Sequence, residues 1–174
     1  AFYAETSGRT KISFNELKHG EIHGIIARDE KLGKKILSLN LPLVVYVSRM
    51  EPKDYEYRIT ADNIQVGKKA AEHFIEKKFV NFGYCGFSDV WYSKKRCEGF
   101  ASKLAEYGHE ISVYEKTQSV IKRSWAKELS RLSDWLCSLP KPVAIFSCIG
   151  ERSRHVSEAC KRAGLKVPDE IAIL

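Results

Sequence analysis

The stretch Ile59-Thr-Ala-Asp-Asn-Ile-Gln-Val-Gly67 decides the fold of this chain, together with two segments that follow it. Those segments are Ala70-Ala-Glu-His-Phe-Ile75 and Phe79-Val-Asn-Phe-Gly-Tyr-Cys-Gly-Phe87. In order, the three predict the end of a strand, an amphipathic helix capped by Asp62, and a buried strand. This succession is typical of a chain that crosses from one sheet to the next in a two-lobed α/β protein.

Short apolar runs alternate with amphipathic stretches along the rest of the chain. We predict strands at 23–27, 43–47, 80–87, 111–114, 143–148 and 170–174, and further helices at 32–39, 93–107, 125–139 and 151–163. Gly108 and Gly164 follow two of these helices and are expected to end them. Strands that alternate with helices predict parallel sheets covered by helices on both faces.

The polar gap between Arg49 and Arg58 is the natural place for the chain to change lobes. We therefore place a boundary near residue 60, with residues 1–60 forming a partial N-terminal lobe and residues 61–174 forming a C-terminal lobe. Met50 is the only methionine, and the last residues resemble the middle of a strand. We expect the chain to be truncated at both ends relative to a longer protein.

Composition and charge exclude several classes of protein. The 44% hydrophobic and 11% aromatic content supports a packed core, and no apolar run is long enough to span a bilayer. The net charge of +7 comes from scattered lysine pairs, such as Lys68-Lys69 and Lys94-Lys95. Such pairs are typical of solvated helix faces, the alternative being a surface that lies near DNA in a larger assembly.

The cysteines and histidines favour neither a disulfide framework nor a metal site. Five cysteines is an odd number, no pair has CxxC spacing, and each lies in an apolar or helical pattern. We predict buried, reduced thiols in a cytoplasmic protein. The histidines show no spacing typical of metal ligands, and we interpret His73 as a surface or partly packed residue. No cofactor is predicted.

Signatures of catalysis are absent from the sequence. It contains no P-loop, no HExxH and no GxSxG elbow, and Gly83-Tyr-Cys-Gly86 has the wrong spacing for a dinucleotide fingerprint. No Ser-His-Asp or Cys-His set can be assembled from the residues. We therefore predict no catalytic residue and expect a binding protein rather than an enzyme.

The segment Phe87-Ser-Asp-Val-Trp-Tyr-Ser93 is the best candidate for a binding loop, because it connects a predicted buried strand to a helix. Ligands of open parallel sheets bind at the carboxyl ends of strands. Trp91 offers a flat apolar face on which a sugar ring can stack. Arg96, one turn into the helix, can donate two hydrogen bonds to adjacent hydroxyls or to a carboxylate. The alternative is that Trp91 serves packing and Arg96 forms a surface ion pair.

Several segments together resemble the effector-binding domain of lactose- and galactose-repressor (LacI/GalR) regulators, which is similar to periplasmic ribose-binding-type proteins. The matching segments are Ile59-Thr-Ala-Asp-Asn63 with Gly67, Phe82-Gly-Tyr-Cys-Gly-Phe87, Lys95-Arg-Cys-Glu-Gly-Phe100 and Gly164-Leu-Lys-Val-Pro-Asp-Glu-Ile-Ala-Ile173. The stretches Leu132–Pro140 and Arg152–His155 resemble the xylose-operon regulator branch. The resemblance covers residues 21–174.

This resemblance implies two Rossmann-like lobes, a sugar such as a pentose in the cleft between them, and a homodimer. Arg96 matches the family's sugar-contacting arginine, and Val47 and Ser48 fall where many relatives have a polar ligand contact. Ile149 and Gly150 fall where relatives commonly carry a polar pair that holds the sugar. Loss of that pair predicts weaker binding or a different ligand, since each buried hydrogen bond contributes about 0.5–1.5 kcal/mol.

The resemblance implies a sugar sensor of a bacterial transcriptional regulator, in which the ligand shifts the closure of the lobes. No helix pair in the sequence has the tight turn of a DNA-binding module, so we expect that module to lie outside these residues. One alternative is a solute-binding protein that delivers sugars to a transporter. A second is a doubly wound enzyme whose catalytic residues lie elsewhere.

Overall fold

The computed structural model of the protein describes residues 23–28, 38, 40–46 and 57–174. The chain divides into two compact units, Ala1–Thr60 and Ala61–Leu174. Apart from Ser38, the predicted helix at 32–39 lies outside the described residues. So do Val47 and Ser48, for which a ligand contact was expected from the resemblance.

The first unit contains a parallel sheet of three short strands in its described part. The strands are β1 (Ile25–Arg28), β2 (Leu43–Tyr46) and β3 (Tyr57–Ile59), in the order β1-β2-β3. Two of them lie where strands were predicted, at 23–27 and 43–47. Val45 at the centre of the sheet is fully buried, as expected for an apolar run in a covered parallel strand.

The second unit alternates helices and strands in the predicted order. Its elements are α1 (Asn63–Glu76), β4 (Phe82–Phe87), α2 (Trp91–Ala105), β5 (Ile111–Lys116), α3 (Gln118–Arg123), α4 (Trp125–Ser138), β6 (Val143–Ser147), α5 (Gly150–Ala163) and β7 (Ile171–Ile173). All four strands are parallel, in the order β5-β4-β6-β7. The predicted α/β class is confirmed, and the carboxyl ends of β4 and β6 are neighbours at one edge of the sheet.

The predicted helix caps at Asp62 and Gly164 are confirmed. The Asp62 carboxylate accepts a hydrogen bond from the backbone N–H of Gln65 at 2.9 Å, which satisfies a free donor of the first turn of α1. Gly164 ends α5 with a φ of 70°, a conformation that glycine adopts without steric cost.

The helices differ from the prediction in two places. Helix α2 begins at Trp91 rather than at Ser93, so Trp91 and Tyr92 lie in its first turn instead of in the preceding loop. The short helix α3 was not predicted, because its six residues are too few to show apolar periodicity. Thr117 caps α3 through its hydroxyl, which accepts from the Val120 N–H.

Two apolar cores lie on opposite faces of the four-stranded sheet. Alternate residues of β6 divide between them, as the two-residue period of a strand requires. One core packs α1 and α2 on the sheet through aromatic rings, among them Phe82, Phe100 and Phe146. The other core packs α4 and α5, with Leu132 and Val156 fully buried.

Helices α1 and α2 cross with their backbones in close approach at two glycines. A Cβ atom on Gly67 would overlap the carbonyl oxygen of Arg96, and one on Gly99 would overlap the carbonyl oxygen of Ile64. Any larger residue at either position would push the helices apart. The contact therefore fixes the distance between the start of α1 and the first turns of α2.

The thiols are free, but one lies in a different environment from the one predicted. Cys85, Cys148 and Cys160 are buried and Cys97 is partly buried, in agreement with the prediction, whereas Cys137 is exposed. Cys137 belongs to the last turn of α4 and faces away from the core that Leu132 and Leu136 form. His73 is exposed, as expected. Within the described ranges, no helix has the length and apolar character needed to cross a membrane.

Candidate functional site

The loop between β4 and α2 is held in place by buried hydrogen bonds to Ser93. The backbone N–H of Phe87 donates to Ser93 Oγ at 2.8 Å, and the Tyr84 hydroxyl donates to the Ser93 carbonyl oxygen at 2.6 Å. Burial raises the pKa of Tyr84 well above its ordinary value, so its hydroxyl remains a donor. These contacts fix the first turn of α2, and with it Trp91, against the end of β4.

Replacement of Ser93 by alanine is expected to lower the free energy of unfolding by about 1–3 kcal/mol, because the buried N–H of Phe87 loses its acceptor. Equilibrium unfolding in urea measures the change. The control is Ser102→Ala on the same helix, an exposed residue whose hydroxyl donates, among the described contacts, to the Gly99 carbonyl oxygen. Equal effects of the two substitutions would contradict the assigned role of Ser93.

Arg96 joins three elements at the side of the sheet where the strands have their carboxyl ends, which we call the carboxyl edge. From α2, its Nε donates to Asn63 Oδ1 of α1 at 3.0 Å, and its Nη1 donates to the carbonyl oxygen of Cys148 at 2.5 Å, just after β6. Its guanidinium also lies 5.2 Å from the centre of the Tyr92 ring. Among the described residues its partners are neutral oxygens, so the alternative prediction of a surface ion pair finds no support there.

The structure places four of the predicted site residues at the ends of β4 and β6. Trp91 is half-buried in the first turn of α2. Ile149 is the residue before α5 and packs partly against the core that α1 and α2 form with the sheet. Gly150 begins α5 and is exposed, with open space where a side chain would be. Ser48, the fifth predicted residue, is outside the described residues.

Asn63 is a polar residue of this edge that sequence reasoning missed. It is 5% exposed and follows the cap of α1 directly. Its Nδ2 donates to the Ala61 carbonyl oxygen at 3.1 Å, while its Oδ1 accepts from Arg96. Periodicity could not identify Asn63, because an asparagine at the start of a helix normally faces solvent. The available signal was its place next to the cap Asp62.

A buried ion pair supports the same edge from the opposite face of the sheet. Arg152 of α5 is fully buried and donates through Nη1 and Nη2 to Glu128 Oε1 of α4, at 3.2 and 3.3 Å. The Tyr114 hydroxyl donates to Glu128 Oε2 at 3.1 Å. The Arg152 guanidinium lies 5.4 Å from the centre of the ring of Phe87, the last residue of β4. This network ties α4 and α5 to β5 through Tyr114 and to β4 through Phe87.

His155 contacts this network, in surroundings that disfavour its charged form. Its Nδ1 lies 3.1 Å from Arg152 Nη1, and its ring lies 4.4 Å from the Trp125 ring, centre to centre. Burial and the adjacent guanidinium lower the pKa of His155. A neutral imidazole can accept a hydrogen bond from Arg152 through Nδ1.

The chemistry of the edge suits binding better than nucleophilic attack. Burial raises the pKa of Cys148 to about 11 and that of Cys85 to about 12, so both thiols stay protonated near neutral pH. No group of histidine, cysteine or acidic side chains within the described ranges is arranged to hold a metal ion. Arg96 offers hydrogen-bond donors and Trp91 an aromatic face, which together suit a ligand rich in hydroxyl groups.

Comparison with known proteins identifies relatives. Residues 71–174 match the periplasmic binding protein-like domain family. The xylose operon regulatory protein of Haemophilus influenzae is 29% identical over 119 residues, covering 67% of this chain and 30% of the relative. The chain thus spans less than a third of that relative's length.

Solved structures share the fold. A xylose-binding transcription activator superimposes with a TM-score of 0.72 at 23% identity, covering 87% of this chain and 42% of that chain. A periplasmic binding protein/LacI transcriptional regulator from Alkaliphilus metalliredigens, complexed with D-xylulofuranose, gives a TM-score of 0.65 at 20% identity. That alignment covers 92% of this chain and 58% of the other.

Proposed function

The chain belongs to the periplasmic binding protein-like domain family, and from that premise we propose that it binds a sugar effector for a transcriptional regulator. The observation that carries the proposal is the position of Arg96, which reaches from α2 to the carbonyl oxygen of Cys148 at the carboxyl edge of the sheet. The names of the relatives support regulation as the output, since the curated relative is a xylose operon regulatory protein.

We place the effector against Arg96, Trp91, Ile149 and Gly150. The guanidinium has five N–H groups, of which the described contacts use one on Nε and one on Nη1. The remaining groups can donate to neighbouring sugar hydroxyls in a planar pair. Trp91 supplies an aromatic surface for the apolar face of the sugar ring. Ser48 remains part of the proposal through the resemblance.

A pentose is the proposed effector, supported by the xylose and xylulose in the names of the relatives. Ile149 and Gly150 bring no polar side chain, so at this edge the sugar gains hydrogen bonds from Arg96 and from backbone groups. Each hydrogen bond that a polar pair would have formed is worth about 0.5–1.5 kcal/mol. We therefore expect an affinity lower than that of a site with such a pair.

The proposed mechanism is a shift of population without chemistry. An effector that binds one conformation more tightly than another raises the population of the first by its difference in affinity. In a homodimer, such a shift would change the geometry of DNA-binding modules that lie outside these 174 residues. We propose that the protein acts in the cytoplasm as a homodimer and contacts DNA through those modules.

Replacement of Arg96 by alanine is expected to weaken binding of a pentose at least tenfold, about 1.4 kcal/mol, while the fold survives. The loss follows from removal of the donors that face the ligand. Isothermal titration calorimetry with D-xylose measures the change in affinity, and circular dichroism checks the fold. Arg131→Ala on the exposed surface of α4 is the matched control. Unchanged affinity in the Arg96 variant would remove Arg96 from the site.

A further inference from the structure

Asn63 uses both ends of its amide inside the protein. Its Oδ1 accepts from Arg96 Nε at 3.0 Å, and its Nδ2 donates to the Ala61 carbonyl oxygen at 3.1 Å. An arginine Nε–H can only donate and a backbone carbonyl can only accept, so these partners fix the orientation of the amide. With 5% exposure, the side chain has little freedom to turn away.

We propose that Asn63 is a positioning residue for effector recognition, which fixes the direction in which Arg96 presents its free N–H groups. The inference rests on the proposed function of Arg96. Asn63 itself acts through the arginine, since the described contacts occupy both ends of its amide. Neither the family match nor the resemblance assigns it this role.

The geometry restricts the guanidinium in two directions at once. The bond from Nε reaches the start of α1, and the bond from Nη1 reaches the end of β6. Two bonds to separate elements define the plane of a rigid, planar group. The second N–H of Nη1 and the pair on Nη2 then point in fixed directions.

Such pre-organisation matters because arginine is one of the most flexible side chains. A free arginine loses rotamer freedom when it binds a ligand, and that loss weakens the affinity. In this protein Asn63 has already removed part of that freedom before the effector arrives. The helix contact at Gly67 and Gly99 adds to the effect, because it fixes the distance between α1 and the backbone of α2.

An asparagine at position 63 meets both hydrogen-bonding requirements at once, which few other side chains can do. An apolar side chain at position 63 would leave the Nε–H of Arg96 and the Ala61 carbonyl oxygen without this partner. An aspartate could still accept from Arg96 Nε, but it could not donate to Ala61. Asn63→Asp should therefore preserve much of the positioning, whereas Asn63→Leu should remove it.

The test combines binding and spectroscopy on the purified protein. Titration with D-xylose compares wild type, Asn63→Leu, Arg96→Ala and the double variant. Asn63→Leu is expected to weaken binding about five- to tenfold in the wild-type background, the size that immobilising one long side chain supports. In the Arg96→Ala background it should have no further effect, because the group that it positions is gone. Asn63→Asp should recover part of the loss.

Equal losses in both backgrounds would overturn the inference, because Asn63 would then act without Arg96. Wild-type affinity in Asn63→Leu would do the same. Gln65→Leu, an exposed substitution in the same turn of α1, is the control and should bind as wild type. Urea unfolding of each variant separates lost stability from lost affinity, and Asn63→Ala, which also removes the acceptor for Arg96 Nε, replaces Asn63→Leu if the latter does not fold.

A measurement without ligand separates this inference from the proposed function. In nitrogen-15 NMR spectra of the free protein, the Arg96 Nε–H should exchange slowly with solvent, and Asn63→Leu should accelerate the exchange at least tenfold. An unchanged rate overturns the positioning role, whether or not D-xylose binds. If D-xylose fails to bind the wild type while the exchange rate responds as expected, the proposed pentose fails and the positioning of Arg96 by Asn63 stands.

Discussion

Replacement of Glu128 by alanine is expected to lower the free energy of unfolding by about 3–5 kcal/mol. The side chains of Glu128 and Arg152 are 1% and 0% exposed, so water cannot take the place of either partner. Removal of the carboxylate leaves the Arg152 guanidinium buried without a counter-charge and leaves the Tyr114 hydroxyl without its acceptor. Equilibrium unfolding in urea, followed by circular dichroism, measures the loss.

The control for this prediction is an ion pair of similar length on the surface. Lys95 and Glu98 lie 2.8 Å apart, but both are exposed to water. Glu98→Ala should therefore change the free energy of unfolding by less than about 1 kcal/mol. Replacement of both buried partners together, as Glu128→Leu with Arg152→Met, should recover much of the loss, because no unpaired charge remains. If the double variant lost as much free energy of unfolding as Glu128→Ala, the loss would come from altered packing rather than from an unpaired buried charge.

Replacement of Gly99 by alanine is expected to destabilise the protein by about 3 kcal/mol, the upper end of the usual range for overpacking. The added Cβ would overlap the backbone of Ile64 in α1, and a helix backbone cannot move aside as a side chain can. The helices must separate, which also pulls Arg96 away from Asn63. Unfolding in urea measures the stability, and the loss of D-xylose affinity measures the displacement.

Gly150→Ala is the matched control for stability. Gly150 is the first residue of α5, and apart from its chain neighbours and the backbone of its own helix no atom comes within 4 Å of the position of an added Cβ. Alanine has the higher helix propensity, so the free energy of unfolding should stay the same or rise by a few tenths of a kcal/mol. If Gly99→Ala were as well tolerated as Gly150→Ala, the close approach of α1 and α2 would be wrong.

The order of elements in the second unit could be predicted from the sequence because local signals agree there. The apolar face of α1 identifies that helix, the cap at Asp62 marks its start, and the glycine after α5 marks the end of α5. The structure has all three features. The alternation of strands and helices then leaves parallel sheets as the natural arrangement. The edge of the sheet that carries Trp91 and Arg96 follows from that order.

The contacts of the site could not be predicted, because they join residues far apart in the chain. Asn63 and Arg96 are 33 positions apart, and Arg96 and Cys148 are 52 apart. Glu128 and Arg152 could not be recognised as a buried pair from the sequence, since a buried charge is recognisable only when its partner is known. Helix α3 was missed because six residues carry too little periodicity.

The most direct test of sugar recognition is a thermal-shift titration of the purified protein against pentoses, hexoses and their phosphates. A ligand that binds only the folded state stabilises it by an amount that grows with concentration, about 2.7 kcal/mol at one hundred times Kd. We predict a saturable rise in Tm with one of the pentoses, which Arg96→Ala reduces. A Tm that stays unchanged across the whole panel, up to concentrations that saturate weak sites, would contradict a sugar effector.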